Sequence, residues 1–363
     1  MKLEETPSAA FGRVAVYALT RRGAALAARL REGLAVLSEE TVLFLPRRLE
    51  PDFPATTGRL VFFDALKEAL TANFHEFQGQ VVVGAAGLVV RLIAPVLTTK
   101  KEDPAVVVLP QDGRFAVSLL SGHLGGGNEL AWAAARLTGG QAVVSTATDV
   151  EGLPALEMLA RDHDLTIENF AALPAVSRAL VDGVKVPVFD PHGFLAPHLA
   201  PWAEVFEAIH APVEAARPQV RVDWRVRPDD AEVLTLRPKA VALGLGCHRG
   251  IDAAEMRDFI QASLNEAAVS PLSVALLASV ETRRTEPALL EISREMSRPL
   301  LIFSKAELGE VATPNPSAKV MERIGVPSVC EAAAMLAART DRLIISKRKS
   351  ARGTLAAALC GWK

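Results

Sequence analysis

The densest concentration of groups able to do chemistry is Leu119 to Ala131, LLSGHLGGGNELA. An apolar run ends there, glycines follow at 122, 125, 126 and 127, and a segment of helical period begins. Glycines so placed would weaken a strand or a helix, so they form a loop whose N–H groups can approach a ligand, and the helix start beyond them favours an anion. No lysine follows the glycines to reach a nucleotide phosphate. A carboxylate is therefore the expected ligand of Gly122, Gly125, Gly126, Gly127 and Asn128; a turn that only reverses the chain is the alternative. His123 can move a proton near neutral pH, with Glu129 in the first helical turn to assist it, against the alternative of a hydrogen-bonded structural imidazole. Ser121 lacks the G-x-S-x-G setting of a nucleophile and reads as a hydrogen-bonding group.

A second cluster, VVSTATDV, ends the next apolar run with the hydroxyls of Ser145, Thr146 and Thr148 and the carboxylate of Asp149. These groups suit binding or proton transfer; capping of the following helix by Thr148 or Asp149 is equally open. The loop GAAG at 84 to 87 adds Gly84 and Gly87 as backbone donors, and Arg91 and Lys101 add charge, with a solvated surface as the plain reading. Further along, GLGCHRG at 244 to 250 has G-x-G-x-x-x-G, one residue too long for a dinucleotide loop and without a suitably placed ribose-binding acid. His248 and Arg249 are read there as anion contacts, with Glu286 and Lys347 from two further charged clusters. No metal-ligand spacing of His or Cys occurs, so no protein-bound metal is expected.

Elements that must position these groups follow from periodicity. Strands are predicted at 13–18, 41–45, 80–83, 105–109, 114–120, 142–145 and 184–188, and helices at 24–37, 60–74, 87–93, 126–137, 154–161 and 172–180. Their alternation predicts an α/β fold with a mostly parallel sheet. A right-handed crossover through helix 126–137 would set the SGHLGGGNE and STATD loops side by side, and the GAAG loop joins that rim if its strand runs parallel to theirs. Prolines at 212, 218, 228 and 238 interrupt the pattern, and Pro228-Asp229-Asp230 between two alternating runs suggests a β-hairpin connector. The expected domains are 1–210, the connector 211–238, and a smaller α/β domain over 239–363.

Over 363 residues, 40 basic side chains oppose 42 acidic ones, for a net charge of -2. That balance gives no case for nucleic acid or an anionic membrane as partner, so an acidic ligand must be held locally. The longest apolar stretch, 81–97, is broken by Arg91 and Pro95 and is too short to span a bilayer. Three scattered cysteines and an N-terminus without a basic start and apolar run point to a cytoplasmic protein.

Taken together these segments resemble the CbiG family of cobalamin biosynthesis, the cobalt-precorrin-5A hydrolases. The likeness rests on GLVVRLIAP (87–95), DPAVVVL (103–109), GRFAVSLLSGHLGGGNELA (113–131) and STATDVEGL (145–153). A CobE-like C-terminal domain is marked by GLGCHRG, TRRTEPALLE (282–291), NPSAKV (315–320), GVPSVCEAAAMLA (325–337) and KRKSARGTLAAA (347–358). The chain departs from the family pattern at Pro110, Gly127, Ser145 and Arg283-Arg284. The resemblance implies opening of a δ-lactone on a ring-contracted cobalt corrinoid, with loss of acetaldehyde, on the oxygen-independent route to vitamin B12. It implies no cofactor, because the substrate carries the cobalt, and other enzymes of the pathway are candidate partners. His123 would activate water or shuttle the proton, Glu129 or Asp149 would orient it, and the amides around Gly125 to Gly127 would receive the oxyanion. A carrier that binds the tetrapyrrole without chemistry is the rival reading.

Overall fold

Runs of valine that are apolar on both faces require a sheet covered on both sides, and the residues around 81–83 and 105–109 sit in such a sheet. The computed structural model describes residues 11–53, 59–99, 102–211, 217–227 and 233–361. It divides into two units, Met1–Met158 and Leu159–Lys363. In the first, strands β1 (Phe11–Ala18), β2 (Ser38–Pro46), β3 (Leu60–Phe63), β4 (Gly79–Val83), β5 (Ala105–Leu109), β6 (Phe115–Leu120) and β7 (Gln141–Val143) lie in the order β3-β2-β1-β4-β5-β6-β7. Side chains alternate between two cores. Val81, Val83 and Val107 pack with helices α1 (Arg21–Leu34) and α4 (Gly127–Thr138), while Val82, Val106 and Val108 pack with α2 (Leu66–Ala72) and α3 (Ala86–Ile93). The predicted helix over 60–74 is corrected: its first residues, LVFF, form β3, as their β-branched and aromatic character favours.

The direction of β6 decides what shares an edge. Strands β1 to β5 run parallel, but β5 and β6 are antiparallel, and β6 and β7 are again parallel. Residues 110–114 are too few for a crossover, and Gly113, at φ 71° with its amide bonded to the Pro110 carbonyl, closes a tight turn. The ends of β6 and β7 therefore open at the edge where β4 and β5 begin. The GAAG loop, at the end of β4, opens at the other edge, which corrects its expected place on the common rim.

The second unit holds two sheets. The first has the order β10-β9-β11-β12-β8, from β8 (Leu165–Ile167), β9 (Val186–Phe189), β10 (Phe206–Ile209), β11 (Gln219–Val222) and β12 (Val233–Pro238). Here the expected hairpin is corrected. β11 and β12 pair in parallel, because after β11 the chain runs on to bridge Arg225 with Val269 instead of reversing. The segment read as a connector thus supplies two strands of a sheet. In the last sheet, β13 (Val241–Cys247), β14 (Val274–Val280) and β15 (Leu300–Phe303) are parallel, and β17 (Gly353–Leu359) runs antiparallel to both β13 and β16 (Leu343–Lys349). Helix α12 (Val329–Ala338) packs on it through Cys330 and Ala334; a Cβ at Gly244 would lie 1.8 Å from the Cys330 carbonyl oxygen, so only glycine lets helix and strand approach this closely. The expected α/β layering with mostly parallel sheets is found. Among the described residues, no helix is long and apolar enough to cross a membrane.

Candidate active site

In the first unit, the loop between β6 and α4 is compact and largely self-bonded. Ser121 takes φ 52°, uncommon for a residue with a Cβ, and its hydroxyl donates to the Asp103 carbonyl at 2.8 Å, tying the loop to the start of β5. The Gly126 amide donates to the His123 carbonyl (2.7 Å), that of Gly127 to the Ser121 carbonyl (2.9 Å) and that of Asn128 to the Gly122 carbonyl (2.9 Å). Gly126 is left-handed at φ 83°, and a Cβ on Gly127 would meet the Leu120 carbonyl oxygen at 2.6 Å. The glycines thus let the chain fold on itself. The expected oxyanion role of the Gly126 and Gly127 amides is corrected, since the protein's own carbonyls occupy them; the Gly125 amide, among the described residues, has no backbone acceptor.

His123 lies between two carboxylates. Its Nδ1 is 2.7 Å from Glu157 Oε1 and its Nε2 is 2.9 Å from Asp149 Oδ2, which also accepts from Asn128 Nδ2 at 3.0 Å. The imidazole and the Glu157 side chain are 9% and 7% exposed and Asp149 28%, so Asp149 is the member that meets solvent. Glu157 raises the His123 pKa most; burial opposes it, and Asp149 adds to the rise. An imidazolium that donates from both nitrogens fits this arrangement. Each residue comes from a different element: His123 from the loop after β6, Asp149 from the short helix α5 (Ala147–Val150) and Glu157 from α6 (Leu156–Asp162).

Glu129 stands half-buried in the first turn of α4, and the acids at the ring nitrogens are Asp149 and Glu157, which corrects its orienting role. Glu157 was missed; the available signal was one acid inside the apolar run LPALEMLA, where a buried carboxylate needs a partner. Thr148 and Asp149 lie inside the short helix α5, whose N-cap is Thr146 without a side-chain bond. Ser145 is exposed and Thr146 half-buried, while Thr148 is buried. Thr148 Oγ1 and Asn128 Oδ1 are buried without a partner among the described residues, acceptors that an incoming polar group would satisfy. Gly84, Gly87 and Arg91 are at the opposite edge; the Gly84 amide donates to Leu109 and Arg91 Nη1 to the Gly87 carbonyl. Lys101 lies outside the described residues.

In the second unit, the exposed His248 and Arg249 follow β13, and His248 N donates to the Arg352 carbonyl. The Gly250 amide donates to Glu286 Oε1 at 3.0 Å, and Asp252 accepts from Ala254 N and Glu255 N at the start of α8 (Ala253–Glu266). Carboxylates of the protein thus take the amides at which a dinucleotide phosphate would sit, and Glu286 acts as a brace of the loop. Burial pushes the Cys247 thiol up to about 11, which keeps it protonated at neutral pH. Lys347 N donates to the buried Glu331, and its Nζ to the Asn315 carbonyl at 3.4 Å. Among the described residues no group of three or more His, Cys, Asp or Glu could hold a metal ion.

Three family models match the chain in order: cobalamin synthesis G N-terminal over residues 68–149, the cobalamin biosynthesis central region over 154–238, and the cobalamin synthesis G C-terminus over 241–358. The chain is 28% identical to the cobalt-precorrin-5A hydrolase of Priestia megaterium, covering 99% of each. It is also 28% identical to that of Salmonella typhimurium, covering 89% of this chain and 91% of that one. Over 32% of its length it is 36% identical to Protein CobE of Sinorhizobium sp., of which it covers 79%.

Proposed function

The chain belongs to the cobalamin synthesis G family and is a hydrolase, and from that premise we propose that it acts on cobalt-precorrin-5A, opening the δ-lactone and releasing a two-carbon fragment as acetaldehyde. The observation that carries this reading is the full-length likeness: three family segments in one order, and similarity to a named hydrolase over 99% of the chain.

The His123 cluster supplies the proton transfers that this reaction needs. Water adds to the lactone carbonyl and the ring C–O bond breaks; the hydroxyl so freed then gives up its proton, its oxygen forms the aldehyde C=O, and the electron pair of the cleaved C–C bond stays with the conjugated macrocycle. Asp149, the accessible acid, takes the proton from water, passes it to His123 Nε2 at 2.9 Å once the imidazolium has protonated the leaving oxygen, and is then ready to take the proton of the hydroxyl. The His123 imidazolium donates through its Nε2 side to the leaving oxygen, and Glu157 holds the ring in place and protonated. The Gly125 amide, which the loop leaves unused, receives the oxyanion. Thr148, Asn128, Ser145 and Thr146 are substrate contacts in this reading.

The test is incubation of the full chain with cobalt-precorrin-5A, mass analysis of the corrinoid, and trapping of aldehyde. We expect one acetaldehyde for each corrinoid consumed, and a loss of about a hundredfold or more in kcat for His123→Ala and Asp149→Asn. Retained turnover removes the substituted residue from the mechanism. A corrinoid that is bound and recovered unchanged makes the protein a carrier.

A further inference from the structure

From the distribution of charge in the second unit, we propose that the cleft at the carboxyl end of β13 binds a polycarboxylate of planar, partly apolar body, and that its occupant is the peripheral carboxylate rim of the corrinoid. The cleft measures about 560 Å³, within the usual range of small-molecule sites. Six cations line it: Arg249, Arg283, Lys305, Lys347, Lys349 and Arg352, with no Asp or Glu among the lining residues. Val320 and Ile324 of α11 (Ala318–Ile324) and Val329 of α12 give it an apolar wall.

Two observations turn this basic patch into a site. Some cations of the same unit are paired: Arg257 lies 2.6 Å from Glu295 and Arg348 2.7 Å from Glu266. Arg249, Lys305 and Lys349 are exposed and, among the described residues, pair with no carboxylate, so the cleft carries positive charge that an anion would neutralise. The backbone amides nearby are already filled by Glu286 and Asp252. An anion here is therefore held by side chains spread around a rim, which suits several separated carboxylates on one molecule better than a single phosphate in an amide nest. The apolar wall then faces the ring. The identity of the occupant rests on the proposed function; the charge and shape of the site do not.

The experiment titrates the full chain with cobyrinic acid, a corrin that carries free carboxylates, and with cobinamide, in which the periphery is amidated. Lys305→Glu and Lys349→Glu are compared with Arg178→Glu, an exposed reversal that does not line the cleft. We expect cobyrinic acid to bind at least about tenfold more tightly than cobinamide, each cleft reversal to weaken it by about tenfold, and Arg178→Glu to leave it unchanged. Equal affinity for the two corrins, binding unmoved by both cleft reversals, or displacement by ATP or inorganic phosphate at similar concentration overturns the proposal. Acetaldehyde release reports separately on the hydrolase: corrin binding at the cleft without release refutes the hydrolase and keeps the site. Full turnover, with KM and corrin binding unaltered by the reversals, does the opposite.

Discussion

The imidazole of His123 has two hydrogen-bonding nitrogens and spends both on acids, so the residue works as a held cation, and its protonation sets the local charge. Glu157 is the largest cause of its raised pKa. A raised folded value means that the stability contributed by the imidazolium is complete below about pH 6.5, the ordinary His value, and is lost as pH rises through the folded value. Urea midpoints of the protein are expected to fall across that window and those of His123→Asn to show no such fall. Glu157→Gln keeps an acceptor but removes its charge; it should cost about 1.5–3 kcal/mol at pH below the window and move both the window and the alkaline limb of kcat/KM to lower pH. Unmoved profiles would make Glu157 a packing residue only. The importance of His123 was legible in its segment, SGHLGGGNE. Its second acid was not, because Glu157 lies 34 residues away, and only the return of the chain through β7 and α5 brings the two together.

Among the elements, the glycine-rich loop and the α12–β13 contact use small residues for close approach. Helix α12, VCEAAAMLAA, is buried along most of its length, and its small side chains let the Cys330 carbonyl approach Gly244. Gly244→Ala forces a Cβ to within 2.6 Å of the Ala334 nitrogen as well. A loss of about 3 kcal/mol or more, read as a lower denaturation midpoint, is expected, because backbone cannot give way as a flexible side chain does. A midpoint within the error of the parent would show that α12 shifts freely. Element types were largely readable from hydrophobic period, whereas strand direction was not. A valine run carries no polarity, and the antiparallel turn at 110–114 and the parallel pairing of β11 with β12 overturn one expectation about which loops share an edge and one about the direction of two paired strands.

At the scale of the whole molecule, a net charge of -2 conceals a cleft lined by six cations in the second unit. Long-range attraction to a polyanion is thus small, and salt acts chiefly by screening that cluster. Raising ionic strength from about 0.05 M to about 0.5 M, which shortens the screening length below about 5 Å, should weaken cobyrinic acid binding severalfold; salt-independent binding would show that the cluster does not hold the corrin carboxylates. The amino-acid sequence alone determined the α/β class, the family through ordered motifs, and the importance of the loop at 121–128, because these depend on local composition and period. Tertiary structure decided that GAAG lies at the far edge, that Glu157 and Asp149 share one imidazole, that two of the loop amides are occupied, and that scattered lysines and arginines surround one cleft. Each of those depends on strand direction and on contacts between residues far apart in the chain, which the spacing along it does not encode.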